Sequence, residues 1–367
     1  MRQGNGQTGG RHYGIDLLRL AAMCFVVVLH TLGQGGILAA APAGSAVYRA
    51  AWGLEALSFC AVDIFALISG YVAYSDAPRR TKLSAWLLLW LEVVCYAVGV
   101  TLVFCALRPD AVPLGALRGM YLPVKNDLYW YFTAYTGLFL IRPVLDAGLR
   151  AVSEKTARRV FGAVFLGFSL YGALGAAFRL NQGYSFAWIT LLYVMGAAMR
   201  KAGIGARVRP AAAGAGVVVC TALTWAWKLG CGALPEALQR VELMSYVSPT
   251  VLGAALCWLL LFLRMRPGGV LRAVIGFAAP GAFAVYLLNT HRYVWTLVME
   301  NRFAALAAGG AGRMALAVVG FALAFTVASV ALDFVRRKLE TLLRIPEAAR
   351  AVGGWIERAA DRVLVGK

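Results

Sequence analysis

The chain has 367 residues, 61% of them hydrophobic and only 14% charged, and carries a formal net charge of +19. No soluble domain of this size needs so much apolar surface, and no soluble basic region is present to hold nucleic acid. Stretches of about 20 apolar residues recur, each long enough to cross a ~30 Å hydrocarbon core. They predict an all-α, polytopic membrane bundle of about ten helices, near 15–33, 52–74, 83–107, 128–145, 160–178, 185–199, 211–229, 243–263, 273–299 and 314–335.

An even number of spans puts both termini on one side of the membrane. Lys and Arg crowd the termini and the even-numbered loops, so the positive-inside rule places both termini in the cytoplasm of a multi-pass cell-membrane protein. The excess charge then follows from topology and from attraction to anionic lipid. The expected division is a cytoplasmic segment 1–14, a transmembrane domain 15–335 and a cytoplasmic basic tail 336–367. In that tail Val335, Leu339, Leu342 and Leu343 share a face opposite Arg336, Arg337 and Glu340, the pattern of an interfacial amphipathic helix.

The first span holds Arg19 and His30. Ionisable groups inside a membrane span are costly and usually functional. Their eleven-residue separation is about three helical turns, so both side chains leave one face, ~16 Å apart along the axis. A cation near one membrane surface and a proton acceptor near the other suit a long anionic cofactor whose reactive end must reach a base. The bland alternative for Arg19 is a topogenic arginine paired with Asp16. Arg2, Arg11 and Leu38-Ala39-Ala40-Ala41 imitate a cleavable signal peptide, but Asp16, Arg19 and His30 would lie inside its apolar region.

The second span runs Val62-Asp63-Ile64-Phe65 to Ser69-Gly70-Tyr71, with Asp63 near mid-membrane. A carboxylate there is paired, protonated or facing a water-filled cavity, which makes Asp63 a candidate catalytic residue. Ser69 and Gly70 permit close approach of either a cofactor or a neighbouring helix. The following inner loop carries Arg79, Arg80 and Lys82, candidates for holding anionic groups. The fourth span opens on Asn126 and Trp130 and closes on Arg142-Pro143, and the ninth contains Asn289 and His291. Asn126, Trp130, Asn289 and His291 all fall at the depth of His30 and are candidate substrate-binding residues.

The cysteines show no metal spacing, and no metal site is expected. Cys105 and Cys231, both near the predicted outer surface, are the one pair placed to form a disulfide. No Walker loop, Rossmann fingerprint or nucleophile elbow is present, so chemistry must occur among the spans.

Asp16-Leu17-Leu18-Arg19 with ten residues before His30, Val62-Asp63-Ile64-Phe65 leading to Ser69-Gly70-Tyr71, and Tyr129-Trp130-Tyr131 followed by Arg142-Pro143 together resemble the acyltransferase-3 family of integral-membrane acyltransferases. The likeness covers residues 13–335, with looser matches at Tyr184 to Gly196 and from Tyr246. It implies ten helices, an acyl-coenzyme A donor entering from the cytoplasm, and catalytic roles for Arg19 and His30. The chain departs from the pattern at Asn289, where many members carry histidine, and in its basic residues, which precede the third span.

The reading that results is an O-acyltransferase moving an acyl group, acetyl by expectation, from acetyl-CoA to a hydroxyl of a cell-envelope glycan or lipid-linked glycan. His30, Arg19 and Asp63 are the expected catalytic residues, and Arg19, Ser69, Gly70, Arg79 and Arg80 the expected donor site. The alternative is a transporter or flippase of a lipid-linked glycan using the same polar residues as a path. The absence of visible repeat symmetry speaks against it.

Overall fold

The computed structural model describes residues 11–78, 82–174 and 177–365, and among them the chain is helical with no strand. The long elements are α1 (Tyr13–Leu32), α2 (Ala46–Ser58), α3 (Ala61–Ala73), α4 (Leu83–Leu107), α5 (Trp130–Ala151) and α6 (Glu154–Gly162). There follow α7 (Phe186–Lys201), α8 (Pro210–Gly230), α9 (Pro249–Arg264), α10 (Gly269–Ala278), α11 (Ala282–Asn289), α12 (Ala311–Leu342) and α13 (Ile345–Val365).

Among the described residues six helical stretches are long and apolar enough to cross a membrane: Tyr13–Leu32, Ala46–Ala73, Leu83–Leu107, Pro210–Ala233, Gly269–Asn289 and Ala311–Leu342. The other four expected segments are helical in part and fall short of that standard for visible reasons. Arg142, Asp146 and Arg150 interrupt the apolar run of α5. Helices α7 and α9 have 16 residues each. The fifth segment begins early, at Glu154, and passes into a π-helical turn over Ala163–Leu170. The cysteines are all free thiols, Cys105 and Cys231 included.

Helix α1 is the axis of the bundle. Leu18, Ala22, Val27 and Leu32 are wholly buried, because α2, α3, α9, α11 and α12 pack around it. Its first turn is capped by His12, whose Nδ1 accepts from the Ile15 N–H at 3.3 Å. Gly14 lets α1 meet α9 directly, since a Cβ there would strike the carbonyl of Phe262. At its other end the chain after His30 is clasped by a distant loop: the Asn301 N–H donates to the Gln34 carbonyl and the Phe303 N–H to that of Gly35, both at 2.9 Å.

The last span does not stop at residue 335. Asp333, wholly buried, accepts from Arg336 Nε at 2.7 Å, from Arg337 Nε at 2.8 Å and from the Tyr96 hydroxyl at 3.1 Å. Arg336 also reaches Glu340 at 2.6 Å, so i, i+3 and i, i+4 pairs carry α12 on to Leu342. The amphipathic helix is therefore α13, beginning at Ile345. It leaves Val352, Trp355 and Val363 exposed. It is also docked: Gly353 lies against Ser84, and Glu357 Oε1 accepts from the Leu83 N–H at 2.7 Å. Helix α4 has no side-chain cap of its own at Lys82, and α13 supplies one.

Candidate active site

Three helices each give one face to the site. On α1 the face is Arg19, Met23, Val26 and His30; on α3 it is Val62, Phe65, Ser69 and Val72; on α5 it is Tyr131, Tyr135, Leu138 and Arg142. Steps of three or four residues are what one side of a helix produces. The low numbers of α3 and α5 lie with His30 and the high numbers with Arg19, so both helices run antiparallel to α1. Two cavities open along this shared seam, one at each end.

The cavity at His30 is narrow, about 50 Å³, with aliphatic Met23, Val26, Leu29 and Val62 in its wall together with the Phe65 ring, which meets Tyr131 edge-on at 6.4 Å. Trp130, Tyr131, Tyr184, Tyr246 and Tyr286 form the aromatic part of its lining. Those rings brace one another: Tyr184 lies 5.0 Å from Trp130 and 4.9 Å from Tyr246, and Tyr131 lies 6.3 Å from Tyr286. The Tyr184 hydroxyl donates to that of Tyr246 at 3.4 Å. Such tilted and edge contacts fix ring positions while the hydroxyl groups offer polar handles. His30 is held from behind by Asn289, hydrogen-bonded through its Oδ1 to His30 Nδ1. The Trp295 ring meets the imidazole edge-on, at 4.7 Å and 79°.

The cleft at the other end is larger, about 340 Å³, and has two guanidinium groups in its wall, Arg19 and Arg142. Arg19 bonds Asp16 at 3.0 Å, but Asp16 also binds Arg11 at 2.5 Å, so one carboxylate serves two cations. Arg142 bonds Asp146 through Nε at 3.2 Å, and its guanidinium lies 5.9 Å over the Tyr193 ring. The Tyr193 hydroxyl donates to the other oxygen of Asp146 at 2.5 Å and lines the same cleft. A cleft of this volume with two fork-shaped donors fits the paired phosphates of a nucleotide-like anion.

Of the residues singled out from sequence, the seam brings together Arg19 and Ser69 at one end and His30 and Trp130 at the other. Asn289 touches the site through His30. Asp63 is wholly buried and lines neither cavity; its Oδ1 accepts from Trp188 Nε1 at 3.0 Å, tying α3 to α7. Gly70 lies against the backbone of Tyr193. Asn126 is exposed on the loop before α5, donating to the Gly119 carbonyl at 2.7 Å. His291 turns to α4, 3.2 Å from the Ala97 carbonyl and 3.3 Å from Thr101 Oγ1. Arg79 and Arg80 lie outside the described residues. Among those described, no group of three or more His, Cys, Asp or Glu gathers to hold a metal.

Sequence reasoning did not assign Tyr131, Tyr135, Tyr184, Tyr193, Tyr246, Tyr286 or Trp295 to the site. In the sequence Arg142 marks the end of a span and a family-like Arg-Pro pair, and its four-residue step from Leu138 puts it on one face with Tyr131 and Tyr135.

A family model described as an acyltransferase domain, that of acyltransferase family 3, matches residues 12–333. The chain belongs to the acyltransferase-3 family. It is thus a membrane acyltransferase, and both cavities lie within the matched domain. No curated protein and no solved structure matches the chain.

Proposed function

We propose that this acyltransferase-3 protein is an O-acetyltransferase of the cell membrane, moving acetyl from acetyl-CoA to a hydroxyl of a cell-envelope glycan, with His30 as general base. The observation that carries the reading is the seam itself: a two-arginine cleft and a histidine-bearing aromatic cavity, in file along the same three helix faces. Arg19 and Arg142 would grip the phosphates of the donor. From there to His30 is ~16 Å along α1, a gap that an extended pantetheine arm spans. Ten helices with both termini in the cytoplasm would put the cleft at the inner surface, where the donor is made.

In the reaction His30 takes the proton of the acceptor hydroxyl as its oxygen bonds to the thioester carbonyl carbon. The carbon–sulfur bond then breaks, and His30 returns the proton to the departing sulfur, so that an ester and free coenzyme A result. Direct transfer is the simpler course, since neither cavity has a cysteine in its wall and its one serine, Ser69, is at the far end and donates to the Phe65 carbonyl. The small volume beside His30 favours acetyl over longer chains. The braced aromatic wall, with tyrosine hydroxyls along it, favours a sugar ring as acceptor.

The test is release of free coenzyme A from acetyl-CoA by purified protein given envelope glycan, with His30→Ala alongside. Wild-type turnover that vanishes in a His30→Ala protein of normal membrane abundance supports the reading. A wild-type protein that moves lipid-linked glycan across vesicles and consumes no donor would replace it with the transporter alternative, which the family match does not favour.

A further inference from the structure

The chain has three histidines, and only His30 faces the aromatic cavity. For an imidazole to act as a base there, one particular nitrogen must carry its lone pair toward the substrate. Which nitrogen does so is set by the hydrogen bond the other one makes. On His30 that other nitrogen is Nδ1, and the atom facing it is Oδ1 of Asn289. An amide oxygen has no hydrogen to give. Nδ1 must therefore bear the hydrogen and donate it, which leaves Nε2 unprotonated.

We infer that Asn289 is a positioning residue whose side-chain oxygen locks His30 in its Nδ1–H tautomer and aims the Nε2 lone pair into the cavity. The inference rests on His30 being the base. Two features make the lock rigid. Asn289 is the last residue of α11 and is 0% exposed, so no bulk water competes for its oxygen. Trp295, six positions on, closes against the imidazole edge and blocks rotation of the ring. Both contacts come from the one segment that also clasps Gln34 and Gly35, so ring, lock and backstop are tied to one stretch of chain. The partner is also neutral. It orients His30 without pulling a proton onto it, as a carboxylate in that place would.

Three histidines make the tautomer directly readable. The full chain, labelled with 15N-histidine and reconstituted in nanodiscs, gives three imidazole pairs, and His30→Gln identifies which pair is lost. In the wild-type protein Nδ1 of His30 should show a protonated shift and Nε2 an unprotonated one. Asn289→Ala should release the ring to a mixture dominated by Nε2–H. Its kcat should fall by about 10- to 100-fold, the loss that follows removal of the hydrogen-bond partner of a metal-bound histidine, with Michaelis constants for donor and acceptor nearly unchanged. Asn289→Asp keeps an accepting oxygen, and should hold hydrogen on Nδ1 and recover several-fold of the kcat lost in Ala once the pH is raised enough to remove the second proton its charge draws onto the ring. An Nε2–H tautomer in the wild type would overturn the inference, since the amide would then be turned to donate; this spectrum decides even should Asn289→Ala fail to accumulate. So would an Asn289→Ala protein with unaltered tautomer and kcat. Because the spectrum needs no turnover, a His30→Ala protein that still transfers acetyl would sink the base assignment separately.

Discussion

Gly70 and Gly196 each face the backbone of the other's helix. A Cβ on Gly70 would collide with the carbonyl of Tyr193, and one on Gly196 with the carbonyl of Leu67. Helices α3 and α7 cross at the distance two bare backbones allow, as small residues permit in membranes. One methyl group at either position forces the crossing apart, at a cost of ~1–3 kcal/mol for overpacking. Gly70→Ala and Gly196→Ala should each lower the melting temperature of the purified protein by several degrees. Because Tyr193 also lines the two-arginine cleft, donor affinity should weaken with them. A thermal shift series with a donor titration reads both.

Arg19 and Arg142 share the cleft and should share a phenotype distinct from that of His30. Each charge-assisted contact to a phosphate is worth ~1.5–3 kcal/mol. Arg142→Ala and Arg19→Ala should then raise the Michaelis constant for acetyl-CoA by about 10- to 100-fold, with acceptor recognition unchanged. Arg19→Lys keeps the charge but not the planar fork, and should fall between. Donor saturation curves check this, and an unchanged donor constant in Arg142→Ala would remove it from the donor site.

Asp63 is expected to act through packing. Trp188 donates to its Oδ1, and an asparagine presents an oxygen at the same place. Asp63→Asn should retain most of the transferase activity, whereas Asp63→Leu, which strands the buried indole N–H, should reduce membrane abundance. Loss of turnover in a stable Asp63→Asn protein would give the carboxylate a chemical task.

The cap on α1 makes stability depend on pH. Burial first, and the Arg266 guanidinium beside it second, push the His12 imidazole below its usual 6.5. The fold prefers the neutral ring, whose Nδ1 accepts from Ile15. This contribution is complete above pH 6.5 and is lost as pH falls through the lower, folded-state value. The melting temperature should drop on acidification below 6.5. His12→Asn, which caps without titrating, should flatten that slope.

The line from Arg19 to His30 was legible because one helix carries both and eleven residues is close to three turns. The aromatic wall was not. Tyr131, Tyr184, Tyr246 and Tyr286 come from four separate stretches of chain, and no period in the sequence links them. Depth along the ninth span puts Asn289 and His291 together at the level of His30, but depth says nothing of direction. Two residues at the end of a helix point to nearly opposite sides, and the structure sends Asn289 to His30 and His291 to α4. The apolar pattern found where helices lie, but it missed that α12 runs on through its charges. Asp333, with Glu340 and Glu92, pairs Arg336 and Arg337 locally, and hydropathy counts those residues only as polar.

Glu357 caps a helix that begins 274 positions before it. A chain made from its N terminus therefore inserts α4 long before the residue that completes its first turn exists. During synthesis the Leu83 N–H is left open, and Trp86, which bonds Thr136 beside the cleft at 3.1 Å, sits on an unfinished turn. The two-arginine end of the seam should thus mature only after residues 345–365 leave the ribosome. Nascent chains arrested before that point would already hold His30 in place, yet bind acetyl-CoA poorly until α13 docks.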